Sequence, residues 1–278
     1  MTIPEVPELD VLRRDLERDV AGKKVKTVEV LQPASVKHHT NKKQFIGLLE
    51  GTRLERVGRK GAVITLLLDT GNLLAVRLGN RAGLRRHANK DAVEKGTAVV
   101  ITFTQHGQLR LIDPAKTSEI AVLIPTELGD FVGPLGYDLV DEAVSWTVFA
   151  QALLSRRGKK LKSVLMDPGF IVGVGTVYSD EILFESGLRP DRTPETLSPQ
   201  EIRRVFRATV EILHDAIKHG GSTIGDDGFL TLAGKRGDYQ QFLSVHGREG
   251  QMTPRARGPV VKAKFGSGFA YYCEQTQM

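Results

Sequence analysis

Residues 166–184, MDPGFIVGVGTVYSDEILF, place two glycine-bearing turns directly before an apolar helix. Asp167-Pro168-Gly169 is one turn signal, and Gly173-Val174-Gly175 is the second. From Thr176 onward, the apolar residues recur at helical spacing and predict a helix. The residues upstream of the turns also predict helix. The local unit is therefore helix, two turns, helix.

This unit has the features of an anion site. A glycine-rich turn that leads into a helix presents backbone N–H groups and the positive end of the helix dipole. Gly173, Gly175 and Thr176 would carry these amides. Lys162 stands just before the turn, which suits a phosphate backbone as the anion. The alternative is a helix corner packed for structure alone, and the glycines by themselves do not exclude it.

Composition points to a nucleic-acid partner. The chain has 278 residues, 40% of them hydrophobic, and a formal net charge of +6, an excess that favours polyanions. Its single cysteine, Cys273, excludes an intramolecular disulfide and a multi-cysteine metal site. We find no apolar run of membrane-spanning length and no signal-peptide pattern. These features predict a cytoplasmic monomer, nucleoid-associated if the source is bacterial.

The first half of the chain predicts a helix followed by short strands. Leu9, Leu12, Leu16 and Val20 are spaced for an amphipathic helix that stops at Gly22. Several β-prone runs follow at near-regular spacing, which indicates a β-sandwich or barrel. These runs cover residues 25–31, 54–57, 62–68, 73–78, 98–104 and 108–111.

The second half is predominantly helical. Glycines and prolines at 125–143 predict a linker. Helices are predicted near 144–155, 160–166, 176–186 and 198–218. Residues 260–265 and 269–272 predict a terminal hairpin around Gly266-Ser267-Gly268.

Four long motifs identify a family resemblance. They are PEVPELDVLRRDLE near the N-terminus, FxxLLxGxxLxxVxRKG at 45–61, DxxxxVGVGxVYSDEILFxSGLRP at 167–190 and GGSTIGDDGFLTLAGKRGDYQQFLSVHGREG at 220–250. Together they resemble the formamidopyrimidine-DNA glycosylase/endonuclease VIII family, whose members excise oxidised bases and cleave the resulting abasic site. The resemblance implies double-stranded DNA as partner and no cofactor.

The resemblance also implies an α+β fold with two domains. The first is an N-terminal helix plus β-sandwich at 1–124, joined by a linker at 125–143. The second is a helix–two-turns–helix domain at 144–240, followed by a zincless β-hairpin at 241–278.

The resemblance places the catalytic groups at the N-terminus. The family's nucleophile is a proline amine exposed by removal of the initiator Met, and it forms a Schiff base on C1′ of the damaged nucleotide. The matching Pro4 follows Met1-Thr2-Ile3. An internal proline nitrogen is an amide. Either the N-terminus is trimmed further, or Thr2 supplies the amine, or this chemistry is absent.

Glu5 matches the family's catalytic acid/base, and a partly desolvated carboxylate suits that role. Without the family, Pro4 is a helix-delaying proline and Glu5 is an ordinary acidic residue of a first helical turn. Both interpretations stay open at this point.

Two family segments that wedge into DNA are altered. They correspond to residues 77–81 and 113–118, where Asn80 cannot fill a vacated base stack as the family's Met would. Arg81 and Lys116 remain in these segments and are predicted to contact phosphates.

The family's phosphate contacts are altered as well. Thr176 stands where the family has a phosphate-binding Asn, and Gly268 stands where it has an Arg. Lys262 and Lys264 remain nearby as predicted contacts. Lys60, near the position of the family's β-hairpin lysine, is another predicted contact, although it could equally be a solvated surface residue.

The family's zinc finger has lost its ligands. Its four cysteine positions correspond to Thr253, Ala256, Cys273 and Thr276, so no zinc is expected. A helix-embedded pair, Asp180 and Glu181, matches the family and is expected to have a structural role.

Three functional hypotheses follow. The first is a divergent base-excision DNA glycosylase/AP lyase for oxidised or abasic lesions. The second is a catalytically silent DNA-binding paralogue that recognises distorted or abasic DNA. The third is a monofunctional glycosylase in which Glu5 activates water.

Overall fold

The computed structural model describes residues 3–226, 228–255 and 258–278. It divides into two compact units. The first takes in the described residues up to Gly133 together with His219–Gln240, and the second comprises Pro134–Lys218 and the described part of Gln241–Met278. The loop region 219–240 therefore belongs with the sandwich, whereas the predicted boundary at 240 had placed it in the helical domain. No helix within the described ranges is both long and apolar enough to cross a membrane.

Helix α1, Val6–Val20, contains the predicted amphipathic stretch and begins two residues before Glu8, where the sequence predicts its start. Pro7 occupies its first turn, where a missing N–H costs no hydrogen bond. Leu9, Leu12 and Leu16 are completely or almost completely buried, so one face of the helix lies in the core. The chain leaves the helix through Gly22, whose positive φ of 79° favours glycine.

Two four-stranded antiparallel sheets form the body of the first unit. Their strands are β1 Val25–Val30, β2 Leu54–Lys60, β3 Val63–Leu68, β4 Leu73–Arg77, β5 Gly83–His87, β6 Thr97–Phe103, β7 Gln108–Ile112 and β8 Glu119–Leu123. One sheet has the strand order β1-β6-β7-β5 and the other β2-β3-β4-β8. One continuous core contains apolar side chains of both sheets, of α1 and of the 219–240 segment.

Some elements were not predicted from the sequence. Helix α2, Lys42–Leu49, and strands β5 and β8 are short, and β5 has the charged sequence GLRRH, which lacks an apolar alternation. Helix α3, Leu128–Val132, lies within the predicted linker. Its apolar side chains pack on a small separate cluster that includes Val63 and Leu123. Because these partners are distant in sequence, the local pattern did not predict the helix.

The α-helices in the described part of the second unit are α4 Trp146–Leu154, α5 Leu161–Leu165, α6 Thr176–Ser186 and α7 Pro199–Lys218. Helix α7 is amphipathic, with a buried stripe that includes Val205, Ile212 and Leu213. Helix α6 is almost wholly buried and ends at Gly187 in the left-handed conformation.

The terminal hairpin forms as predicted, from β9 Val261–Phe265 and β10 Gly268–Tyr272. Cys273 packs below it against Phe184, Val245 and Val260. Gln277 adds polar contacts, since its Nε2 donates to the carbonyl of Leu188 at 2.7 Å and its Oε1 accepts the N–H of Cys273 at 2.8 Å.

Candidate functional site

The predicted catalytic residues lie at the start of α1. Glu5 is the N-cap residue of this helix and is only 8% exposed. Pro4 is buried, and its nitrogen belongs to the peptide bond with Ile3, so in this chain it is not a nucleophile. Thr2 lies outside the described residues. The structure thus places a desolvated carboxylate beside the proline that matches the family's nucleophile.

Glu8 holds this segment in place. Its Oε2 accepts the backbone N–H of Glu5 at 3.0 Å, and its Oε1 accepts the backbone N–H of Ser222 at 2.7 Å. A Cβ on Gly221, whose φ is +77°, would approach Glu8 Oε1 to 3.0 Å. The buried carboxylate therefore joins the beginning of α1 to the 219–240 segment.

Hydrogen bonds and core packing hold several described residues of the 219–240 segment within the first unit. Thr223 Oγ1 donates to the carbonyl of Phe229 and accepts the N–H of Gly237. Phe229 and Leu232 are both buried in the sandwich core. This segment therefore packs as part of the sandwich.

Two loops that carry predicted DNA contacts are tied to each other. Gly79 donates its N–H to Ser118 Oγ, and Asn80 donates its N–H to Thr117 Oγ1, each at 2.9 Å. Arg81 comes directly after Asn80, and Lys116 comes directly before Thr117. Both cations are exposed and adopt positive φ angles, of 59° and 56°. The structure therefore brings these two cations onto one pair of connected loops. Lys60 is exposed at the end of β2.

The glycine turn of the second unit has the geometry that the sequence predicts. Gly173 has a φ of 63°, and Gly175 is the N-cap residue of α6. Both glycines are half-buried, and Thr176 is exposed at the first position of the helix. Backbone amides at this N-terminus are placed to bind an anion.

Lys162 was predicted to contact the DNA backbone, but its side chain is only 1% exposed. Its Nζ donates to the carbonyl of Thr176 at 3.1 Å, to Ser179 Oγ at 2.9 Å and to Asp180 Oδ1 at 2.6 Å. The ammonium group is therefore occupied within the protein and holds the first turn of α6. It does not contact DNA in this arrangement, because burial keeps it from solvent.

The acidic pair of α6 organises the segment before the hairpin. Asp180 Oδ2 lies 2.8 Å from Nδ1 of His246, and Glu181 accepts the backbone N–H groups of residues 244–246. Burial raises the pKa of Glu181, and the three backbone hydrogen bonds act in the opposite direction.

The hairpin cations differ in exposure. Lys264 is exposed, whereas the Lys262 side chain is 31% exposed and lies 3.9 Å from the Glu249 carboxylate. Lys262 Nζ also sits 4.5 Å from the centre of the Phe269 ring. Lys264 is therefore the more accessible of the two for a phosphate.

The residues at the family's zinc positions do not fit a zinc ion. Thr253 and Thr276 offer hydroxyls rather than thiolates, Cys273 is buried in an apolar cluster, and Ala256 lies outside the described residues. In the part of the chain that the structure describes, no three His, Cys, Asp or Glu side chains are grouped to hold a metal.

Comparison with known proteins identifies the family. Residues 3–120 match the model of the formamidopyrimidine-DNA glycosylase N-terminal domain, and residues 135–227 match that of the formamidopyrimidine-DNA glycosylase H2TH (helix–two-turns–helix) domain. The chain belongs to the formamidopyrimidine-DNA glycosylase family.

Family members resemble this chain along its whole length. A formamidopyrimidine-DNA glycosylase of Pelotomaculum thermopropionicum is 33% identical over 278 residues, which cover 99% of both chains. One from Bacillus cereus is 31% identical over 277 residues, covering 98% of both chains.

Solved structures of the family superpose closely on this one. A complex between the Lactococcus lactis glycosylase and DNA that contains an abasic site has a TM-score of 0.90 at 25% identity, and the match covers 99% of each chain. A complex of the same protein with DNA that contains a formamidopyrimidine-dG lesion has a TM-score of 0.90 at 25% identity, covering 99% of this chain and all of that one. The predicted glycosylase family and the two-domain α+β fold are confirmed.

Proposed function

We propose that this chain is a DNA-repair glycosylase with AP-lyase activity that excises damaged bases from double-stranded DNA. The observation that carries the proposal is the end-to-end similarity to formamidopyrimidine-DNA glycosylases, at 33% identity over 99% of both chains. The solved relatives are complexes with abasic or lesion-containing DNA. This similarity favours an active enzyme over the catalytically silent paralogue.

Glu5 is the proposed acid/base. Its carboxylate is buried at the N-cap position of α1, and a partly desolvated carboxyl group can both donate and accept a proton. In the proposed reaction Glu5 protonates the sugar ring oxygen and then shuttles protons as the bond to the base breaks.

An N-terminal amine is the proposed nucleophile. Its nitrogen bonds to C1′ while the bond from C1′ to the base breaks, and the base leaves with a proton. The amine loses its proton, and the bond from C1′ to the protonated ring oxygen then breaks, which opens the sugar and leaves a Schiff base at C1′. The Schiff base accepts electrons when a proton leaves C2′, and the bond from C3′ to the oxygen of the 3′ phosphate then breaks. Thr2 would supply a primary amine after loss of Met1, whereas Pro4 would supply a secondary amine only after loss of three residues.

The proposed DNA contacts lie on both units. They comprise exposed cations, Lys60, Arg81, Lys116 and Lys264, the partly exposed Lys262, and the backbone amides around Gly173, Gly175 and Thr176. Phosphate contacts of this kind position the duplex without reading its sequence. We also propose that the protein acts as a monomer in the cytoplasm, at the nucleoid if its source is bacterial.

Borohydride trapping tests the proposal. The purified protein is incubated with a duplex that contains an abasic site, borohydride is added, and the intact mass of the free protein is recorded. We expect a covalent adduct, and peptide mapping will identify Thr2, Pro4 or a lysine as the attached residue. A second assay uses a duplex that contains an oxidised base, and base release there by a protein that formed no adduct would indicate a monofunctional glycosylase that uses water. Tight binding with neither adduct nor base release would overturn the proposal.

A further inference from the structure

The first unit contains a cavity of about 400 Å³ beside strand β5. Residues of β5 form one wall, and a second wall comprises Asp226, Gly228, Leu230, Ala233 and Gly234. The polar residues that line it are Arg81, Arg85, Arg86, His87, Glu94 and Asp226, and its apolar surface includes Ile112, Pro114 and Leu230. Neither Glu5 nor Pro4 lines this cavity, so it is separate from the proposed catalytic residues.

Arg85 is one of the residues that line this space, and two backbone carbonyls hold its guanidinium group. Nη1 donates to the carbonyl of Leu84 at 2.8 Å and to the carbonyl of Leu230 at 2.9 Å, which uses both of its hydrogens. A guanidinium group has five N–H donors in a planar fork. Nε and Nη2 therefore remain, and these two atoms form an edge that matches the paired oxygens of an oxyanion.

Gly83 makes room for this arrangement. It lies two residues before Arg85 on the same face of β5, and a Cβ there would come within 2.6 Å of Arg85 Nη1 and 2.9 Å of Nη2. The guanidinium group thus lies directly over the glycine backbone. Any larger residue at position 83 would displace it.

Glu94 and Asp226 line the same cavity as Arg85, but neither is at ion-pair distance from it. Among the described residues no carboxylate forms an ion pair with Arg85, while Arg86 is paired with Asp19 at 2.5 Å. Glu94 lies 3.2 Å from Nε2 of His87. Burial lowers the pKa of Arg85 to about 10, although Glu94 acts to raise it, so the group is still cationic at neutral pH. A desolvated cation without a paired anion is unfavourable, and a bound anion would offset that cost.

We propose that this cavity binds a phosphate group through the Nε–Nη2 edge of Arg85. Two oxygens of the phosphate accept hydrogen bonds from Nε and Nη2, while Nη1 keeps its bonds to Leu84 and Leu230. The phosphate belongs either to a DNA backbone or to a free phosphate ion. Because the proposed hydrogen bonds to the phosphate come from Arg85, the site does not depend on the proposed glycosylase activity.

The test measures binding of inorganic phosphate to the full-length protein by NMR at constant ionic strength, with chloride as the reference anion. We expect saturable shifts of the Arg85 Nε–H resonance and of amides in residues 83–87 and 228–234. Arg85→Gln should weaken phosphate binding at least tenfold. Gly83→Ala should weaken it comparably with the charge unchanged, because the added methyl group moves the guanidinium. The exposed Arg18→Gln serves as the matched control and should bind phosphate normally.

A duplex DNA titration separates the two sources of phosphate. If the ligand is a DNA phosphate, duplex DNA displaces inorganic phosphate, and Arg85→Gln lowers the salt dependence of DNA binding by about one counterion. If the ligand is a free ion, DNA leaves the phosphate shifts unchanged. Either result supports the site. Absence of saturable shifts in the wild-type protein, or equal affinity in the folded Arg85→Gln and Gly83→Ala variants, would overturn it.

Discussion

The carboxylate of Glu8 accepts the backbone N–H of Ser222 at 2.7 Å, although 214 residues separate the two in sequence. The other oxygen of the same carboxylate accepts the N–H of Glu5. The position of the proposed acid/base at the start of α1 therefore depends on a segment near the far end of the chain.

Replacing Glu8 tests this dependence. In Glu8→Gln one carboxylate oxygen becomes an NH₂ group that faces a backbone N–H, so a buried donor loses its acceptor. We expect the free energy of unfolding to fall by about 1–3 kcal/mol in urea denaturation. Glu55→Gln, at an exposed position of β2, is the control and should change stability by less than about 0.5 kcal/mol. Equal stability of the two variants would contradict the bridging role of Glu8.

Glu5→Gln separates catalysis from DNA binding. The amide keeps the shape of the side chain but cannot donate and recover a proton. We expect base release to slow by about 100-fold or more, the range for loss of a general acid/base. The dissociation constant for abasic-site DNA should stay within about twofold, since Glu5 is not among the proposed phosphate contacts. Unchanged single-turnover rates in this variant would remove Glu5 from the mechanism.

Lys162 and Lys264 should respond differently to replacement. Lys162→Met leaves Asp180 buried without its ammonium partner, and we expect a loss of about 3–5 kcal/mol of stability. Lys264→Met removes an exposed charge and should leave stability nearly unchanged. Urea denaturation distinguishes the two.

In DNA binding, the Lys264 variant should show the larger effect and the Lys162 variant the smaller one. Lys264→Met should lower the salt dependence of DNA affinity by about one counterion, as expected for one lost phosphate contact. If Lys162→Met retained full stability but lost a counterion, Lys162 would be a DNA contact after all.

His39 should make stability depend on pH. Burial lowers its pKa, with the neighbouring His38 acting in the same direction and Glu127 in the opposite one. Nε2 of His39 accepts the backbone N–H of Val122 at 3.1 Å, which requires an unprotonated nitrogen. The folded state therefore binds the proton less well than the unfolded state.

The direction in which stability changes with pH follows from this difference in proton binding. The contribution of His39 is fully present above the unfolded pKa of about 6.5 and is lost as pH falls through the lower folded value. His39→Gln should flatten the stability profile in that window, whereas His214→Gln, at an exposed position of α7, should not. Urea denaturation between pH 5 and 8 provides the comparison. Identical profiles of stability against pH for the wild type and His39→Gln would refute the proposed contribution of His39.

Sequence patterns predicted those parts of the fold whose signal is local. Leu9, Leu12 and Leu16 mark α1 by their spacing, and the paired glycine turns mark the entry to α6. Strand β5 was missed because its arginines pair with partners that are distant in sequence, as Arg86 does with Asp19. Its edge of the sheet is also covered by a segment about 145 residues later, from which Leu230 meets Arg85.

The site residues that the sequence located are likewise those with a local signal. The family motif located Pro4 and Glu5, because both lie within one continuous stretch. It could not show that Lys162 is buried, since a lysine beside a glycine turn has the same local pattern whether its ammonium group faces solvent or an aspartate. The role of Glu8 depends on Ser222, and no spacing rule connects residues so far apart.

The membership of His219–Gln240 in the first unit bears on how the protein is made. During synthesis the sandwich emerges first, but Phe229 and Leu232 of its core and the partner of Glu8 are translated only after the whole of α7. We therefore expect the nascent chain to remain incompletely folded until late in translation. A prematurely terminated polypeptide would lack the support for its own N-terminus, so incomplete products would be poor at cutting DNA.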